Sequence, residues 1–315
     1  MLHMYNALKF LMRLGLKLYF KAIVSSGQSN VPSKGPVLLV SNHPNAFVDA
    51  LVVAVNLKRP MYFLARGDVF NNPILARIFR FFNMLPIYRV SEGKENLGKN
   101  FDTFDAVEQA LSGGHVVLIF GEGLCENNWD LRPQRKGAAR IIQRAWQSKS
   151  LSNQTVVVPV GLTYEHFIGA GKMAMVNYGV PFNKQHIKAE INTAGFVTEF
   201  NQNIHNQTEK LAYVNVQLQQ HTAAHIAFRK HWQFAGKKGS VAYLHQPHKT
   251  TQPISRLPFI GFDFVLLPLY WLISIVANVT TKGSVFYDSV SLGLFALLWP
   301  IYLLLLFFGV INLLQ

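Results

Sequence analysis

Between residues 36 and 182, short apolar runs alternate with stretches of helical spacing. The runs at 37–40, 61–65, 84–90, 116–120 and 155–164 are rich in Val, Ile, Leu, Phe and Tyr, and each predicts a strand. Residues 46–57, 73–82, 101–112 and 136–147 carry apolar positions at helical spacing, and Gly113-Gly114 stops the third of these helices. Continuous apolar strands alternating with helices predict an α/β fold, a mixed central sheet flanked by helices. Residues 25–35 and 91–100 read as loops.

The pattern changes at both ends. Residues 1–24 read as a helix rich in Leu, Phe, Tyr and Met, with Lys9, Arg13, Lys17 and Lys21 recurring every four positions. One basic stripe on an apolar helix predicts an interfacial membrane helix; a helix packed on the domain with a solvated basic edge has the same pattern. Residues 183–249 are polar and rich in Gln, Asn and His. Two apolar spans close the chain, 257–276 with Asp263 as its one charge and 290–314 with none, each near the roughly 20 residues that cross a bilayer. These changes divide the chain into an N-terminal membrane-associated helix (1–30), an α/β domain (31–200), a polar, partly helical extension (201–256) and a transmembrane hairpin (257–315).

Composition supports a membrane-bound domain. Half of the 315 residues are hydrophobic, and the mean hydropathy is +0.17. The formal net charge is +14, and only Lys282, Asp263 and Asp288 lie beyond residue 256. A basic domain ahead of an apolar tail suits anionic lipid headgroups or a phosphorylated substrate, and no nucleic-acid motif is present. Arg229, Lys230, Lys237, Lys238, Lys249 and Arg256 precede the first span. By the positive-inside rule the large domain then faces the cytoplasm from an inner membrane, and the 277–289 linker lies on the opposite side. The single cysteine, Cys125, excludes an intrachain disulfide and a cysteine zinc site. His221 and His225 are four apart, but no Glu follows His221 and no third ligand is in view, so a solvated helix face is expected and no metal.

The candidate chemistry begins where the first strand ends. Ser41-Asn42-His43-Pro44-Asn45 is a turn cluster between strand and helix. Pro44 pushes His43 toward an extended conformation, Asn45 is a candidate helix N-cap, and Asp49 falls in the first turns of the helix. A carboxylate behind an imidazole can fix its tautomer and leave the other nitrogen to take a hydroxyl proton.

Four segments in order, Asn42-His43…Asp49, Ile87-Tyr88-Arg89, Phe120-Gly121-Glu122-Gly123 and Val158-Pro159-Val160-Gly161, resemble the glycerolipid acyltransferases, which include lysophosphatidic acid and glycerol-3-phosphate acyltransferases. The resemblance runs from residue 36 to 182. It implies transfer of an acyl group from acyl-CoA or acyl carrier protein to a hydroxyl, with no tightly bound cofactor, His43 as general base and Asp49 as its orienting partner. It implies that Arg89 binds an acceptor phosphate and that Glu122 and Gly123 contact the acceptor or brace the site. Asn42 joins as a candidate for oxyanion stabilisation. Arg135, Lys136 and Arg140 resemble the basic segment that follows the third motif and are candidate phosphate contacts.

Three departures are visible. Five residues separate His43 from Asp49 where four are usual, Gly121 stands for Pro, and Leu124 stands for Thr or Ser. The expected activity is membrane-bound O-acylation of a glycerophosphate or lysophospholipid. Leu124 motivates a rival, a non-glycerol acceptor such as an acylated amino-acid lipid. Cys125, close to Gly123, raises a cysteine acyl-enzyme as an alternative path, and a non-catalytic lipid-binding membrane protein is the reading from another class.

Overall fold

The computed structural model describes residues 2–88, 98, 100–212, 254–255 and 260–314. In chain order the elements are α1 (Leu2–Tyr19), β1 (Ala22–Ser26), β2 (Val37–Ser41), α2 (Ala46–Asn56), β3 (Met61–Arg66), α3 (Pro73–Phe81), β4 (Met84–Ile87), α4 (Asn100–Ser112) and β5 (Val116–Phe120). They continue with α5 (Lys136–Gln147), β6 (Val156–Tyr164), β7 (Met173–Tyr178), α6 (Ala194–Leu211), β8 (Ile254–Ser255), α7 (Ile260–Thr281) and α8 (Tyr287–Leu314).

Among the described residues one sheet carries all eight strands, in the order β4-β3-β5-β2-β6-β7-β1-β8. β4, β3, β5, β2 and β6 are mutually parallel. β7 then runs antiparallel to β6, and β1 pairs parallel with β7. The fold is therefore the mixed α/β sheet that the strand pattern predicts. Alternate strand residues enter two cores. Val37 and Leu39 of β2 and Val116 and Leu118 of β5 face α1 and α2, while Leu38, Val40, Val117 and Ile119 face α4, α5 and α6. Burial on both faces is why these strands read as continuous apolar runs.

The domain boundaries read from sequence need correction. Residues 22–26 form an edge strand of the main sheet, so the N-terminal helix is not a separate unit. Leu16, Tyr19 and Phe20 enter the same core as β2, while Arg13 is exposed. That arrangement is the packed helix with a solvated basic edge over this half of α1. α6 extends to Leu211, past the expected boundary at 200, with Phe196, Phe200 and Ile204 in the core. β8 adds residues 254–255 to the sheet through β1. His221, His225 and the basic residues 229–249 lie outside the described residues.

α7 and α8 form an antiparallel pair around Leu266, Leu269, Ile273 and Phe295. The Tyr302 hydroxyl donates to the Val265 carbonyl, and the Tyr270 ring stacks on Phe295. Among the described residues one segment, Tyr287–Gly309, is long and apolar enough to cross a membrane, and Val265–Thr281 is shorter. From Leu297 to Phe308 this helix exposes Leu297, Ile301, Leu304, Leu305, Phe307 and Phe308.

The linker between the two helices does not stand across a membrane from the domain. Asp288 is buried, and its carboxylate accepts from Asn45 Nδ2 at 2.8 Å and from the Gly169 amide at 2.8 Å. The Phe47 amide donates to Ser289 Oγ at 3.1 Å. A turn bonded directly to the domain shares its side of any bilayer, which overturns the opposite-side placement of the linker.

Candidate active site

β2 and β5, the central parallel strands, end side by side, and β6 flanks β2. Ligand sites of open parallel sheets form beyond such strand ends. The turn after β2 carries His43 there. Its Nδ1 lies 2.8 Å from Asp49 Oδ2. Asp49 is fully buried and accepts two further bonds, from the Asn45 amide at 2.8 Å and from the Tyr164 hydroxyl, at the end of β6, at 2.7 Å. Burial, followed by the Asp49 charge, raises the Tyr164 phenol well above its ordinary range, so it remains a donor.

The imidazole is fixed in its plane as well. Its ring stacks on Phe120, the last residue of β5, with centroids 3.9 Å apart and planes 8° from parallel. Nδ1 is committed to Asp49, which leaves Nε2 to meet a substrate, and the His43 side chain keeps 19% of its surface exposed.

Backbone geometry explains how the longer His-to-Asp spacing is accommodated. Asn45 adopts φ −144°, ψ 49°, and Ala46 has φ +46°, an uncommon angle for a residue with a Cβ. The helix therefore begins with an abrupt bend that absorbs the extra residue. Asn45 occupies the N-cap position but makes no capping bond with its side chain. The Ala46 amide donates to Cys125 Sγ instead, and the Phe47 amide to Ser289.

Glu122 is the second anchor of the turn. It is 4% exposed, and Oε2 accepts from the His43 amide at 3.1 Å and from an Arg132 guanidinium nitrogen at 2.7 Å, while Oε1 accepts from the Arg132 amide at 3.1 Å. The same guanidinium nitrogen reaches the carbonyls of His43 and Leu124. Gly123 has φ +70°, and the Arg135 side-chain stem lies against the space where a Cβ would stand. At Gly121, where the resembling family carries proline, an added Cβ would meet the amide end of the Gln134 side chain, which would have to swing aside.

His43, Asp49, Asn42, Glu122 and Gly123 are thus brought together. Asn42 does not serve as an oxyanion donor, since its amide is spent on β6: Nδ2 donates to the Leu162 carbonyl at 2.9 Å and Oδ1 accepts from the Leu162 amide at 2.8 Å. Arg135, Lys136 and Arg140 are exposed at the start of α5, and the bonds of the His43–Asp49–Glu122 cluster do not include them. Arg89 lies outside the described residues. Sequence reasoning missed Tyr164 and Phe120, each at the end of a predicted strand, and passed over Arg132 within the basic segment. Among the described residues no group of three or more His, Cys, Asp or Glu side chains could hold a metal ion.

Cys125 is unsuited to nucleophilic catalysis. Burial pushes its thiol up to about 12, and the nearby Asp49 carboxylate adds to the shift.

Residues 22–163 match the family model described as Acyltransferase. Over these residues the chain is similar to that family. The matched stretch begins at the first residue of β1 and ends within β6, so it takes in the His43–Asp49 turn and the Glu122 loop. No curated protein matches the chain significantly. Among solved structures, the chain is similar to the 1-acyl-sn-glycerophosphate (LPA) acyltransferase from Thermotoga maritima. The TM-score is 0.49 at 12% identity, covering 66% of this chain and 78% of that one.

Proposed function

We propose that this protein is an acyltransferase that works at a membrane surface and transfers a fatty acyl group from acyl-CoA or acyl carrier protein to a hydroxyl of a glycerophosphate or lysophospholipid. The observation that carries the reading is the buried Asp49 carboxylate bonded to Nδ1 of a ring-stacked, partly exposed histidine. In this reading His43 Nε2 takes the proton as the acceptor oxygen attacks the thioester carbonyl. The ester C–O bond forms, the C–S bond breaks, and the imidazolium returns its proton to the leaving thiolate. Asp49 stabilises the transient imidazolium and does not itself take the proton.

Glu122 acts here through the backbone. With Arg132 it braces the His43 turn, which favours bracing over acceptor contact among its two expected roles. Phosphate binding falls to Arg135, Lys136, Arg140 and Arg89. Lys136 and Arg140 stand four apart at the N-terminal end of α5, where no acidic residue occupies the first turn and the helix dipole favours an anion. The exposed apolar stripe of α8 supports anchoring in lipid, with the basic domain at the headgroups.

Leu124 favours a second acceptor class. It exposes 42% of its surface beside Gly123, where a hydroxyl residue would offer a hydrogen bond. An unphosphorylated acceptor such as an acylated amino-acid lipid would suit it. Membrane fractions given labelled acyl-CoA or acyl carrier protein, with acceptors of both classes, decide the matter by mass spectrometry of the products. Transfer is expected to depend on His43 and to favour phosphorylated acceptors. Full activity of His43→Ala would refute the general-base reading.

A further inference from the structure

The four donors around Asp288 converge from separate parts of the fold. Oδ1 accepts from the Tyr19 hydroxyl at 2.9 Å and from the Gly169 amide at 2.8 Å. Oδ2 accepts from Asn45 Nδ2 at 2.8 Å and from Lys172 Nζ. Asp288 is 1% exposed, and Lys172 and Asn45 are fully buried. α1, the β6–β7 loop and the turn after β2 are thereby tied to the first residues of α8.

A buried ion pair is a weak source of net stability, because desolvation offsets the attraction. Its placement here suggests a different use. Asn45 joins two networks: its amide donates to Asp49 Oδ2, and its side chain donates to Asp288. The backbone at Asn45 and Ala46 lies outside the regular regions, and such a conformation persists only where its surroundings hold it. Asp288 and Ser289 grip Asn45 and Phe47, the residues on either side of Ala46.

Resting on the general-base reading above, we propose that Asp288, neutralised by Lys172, is a positioning residue for the His43–Asp49 pair. It acts through Asn45, so that docking of the C-terminal helix sets the geometry of the site. Asp49 then meets His43 at hydrogen-bond distance only while Asp288 holds the Asn45 side chain. Release of that side chain lets the bend relax, and Asp49 loses the Asn45 amide and its alignment with Nδ1.

The test uses the full chain in lipid nanodiscs with 15N-labelled histidine. The Nδ1 proton shared with Asp49 gives a far-downfield resonance, assigned by its loss in His43→Ala. Two variants cut the link differently. Asn45→Ala leaves the Asp288–Lys172 pair in place, and Lys172→Met with Asp288→Leu removes both charges together. Each is expected to lose the resonance while unfolding remains cooperative, and Asp288→Glu is expected to retain part of it. In the transfer assay kcat should fall on the order of 10–100-fold, the scale of a misplacement near 1 Å, with both KM values within twofold of wild type.

A resonance absent from wild type, or unchanged in Asn45→Ala with kcat within twofold, overturns the proposal. If the paired variant fails to fold, Asn45→Ala decides. A wild type that shows the resonance but transfers to no acceptor would refute the functional reading, and the resonances of the variants would still judge the positioning role.

Discussion

Replacing Asp49 separates the chemistry of the site from its construction. Asp49 is fully buried and satisfies three donors, from His43, Asn45 and Tyr164. Asp49→Ala would orphan all three at about 1–3 kcal/mol each, a loss comparable to the whole stability of many domains. Asp49→Asn keeps the architecture. Its amide oxygen, placed at Oδ2, still accepts from His43 and Asn45, and its amide nitrogen faces the Tyr164 hydroxyl, which can accept. What disappears is the charge. Charge-assisted bonds contribute about 1.5–3 kcal/mol and neutral ones about 0.5–1.5, so the three bonds together lose about 3–4.5 kcal/mol, partly offset because a neutral side chain costs less to bury. That corresponds to a melting shift on the order of 10 degrees. The rate of the folded protein should fall as well, because the imidazolium formed during attack loses its counter-charge; a fall of about 10²–10⁴-fold is expected. The measurements are a thermal melt and kcat on the same nanodisc preparation. A folded Asp49→Asn protein that keeps its rate within tenfold would show that the carboxylate only shapes the turn.

Three further outcomes follow from the geometry. With its folded value near 12 against 9.0 for an ordinary thiol, Cys125 should alkylate about 10³-fold more slowly than a free thiol near neutral pH. The raised value also contributes stability below about pH 9 that is lost as pH rises toward 12, so Cys125→Ser should flatten the alkaline edge of the melting profile, remain active and carry no acyl group with donor alone. Arg132→Met should cost about 3–5 kcal/mol by leaving Glu122 charged and buried; a loss no larger than that of Arg132→Met with Glu122→Leu would argue against the brace. On a Cys125→Ser background, Ser284→Cys in the helix linker and Lys188→Cys on the domain surface, both exposed sites, should react with a membrane-impermeant reagent from the same side of sealed vesicles, and opposite-side labelling would contradict the docking of Asp288.

Much of the fold was legible because strands buried on both faces leave continuous apolar runs. β2, β3, β4, β5 and β6 all fall within the runs predicted for them, give or take a residue or two. β1 was not legible, because the residues Ala22, Ile23 and Val24 continue the composition of the preceding helix and only pairing with β7 separates them. β7 carries Asn177 between Val176 and Tyr178, which dilutes its strand signal, and that asparagine is satisfied by Ser26 and the Leu211 carbonyl from distant segments. Local propensity cannot see partners that far along the chain.

The site shows the same division. His43 and Asp49 were readable because turn residues fix where a strand ends and a helix begins, and six positions suffice to bring their side chains together. Tyr164, Arg132 and Asp288 lie 115, 83 and 239 residues from Asp49, so neither spacing nor periodicity could connect them to it. Asp288 is the sharpest case. Beside a 25-residue apolar run it reads as a charge marking the water-side end of a membrane span, and hydropathy gives no reason to look further. Hydropathy measures transfer from water to lipid and is blind to a third environment, the interior of the chain's own domain, where four donors can satisfy a carboxylate that lipid would exclude. A charge at the edge of an apolar segment is therefore ambiguous between solvent and a docking contact. Here the docking contact fixes which side the linker occupies, and it places the apolar tail within reach of the turn that carries His43.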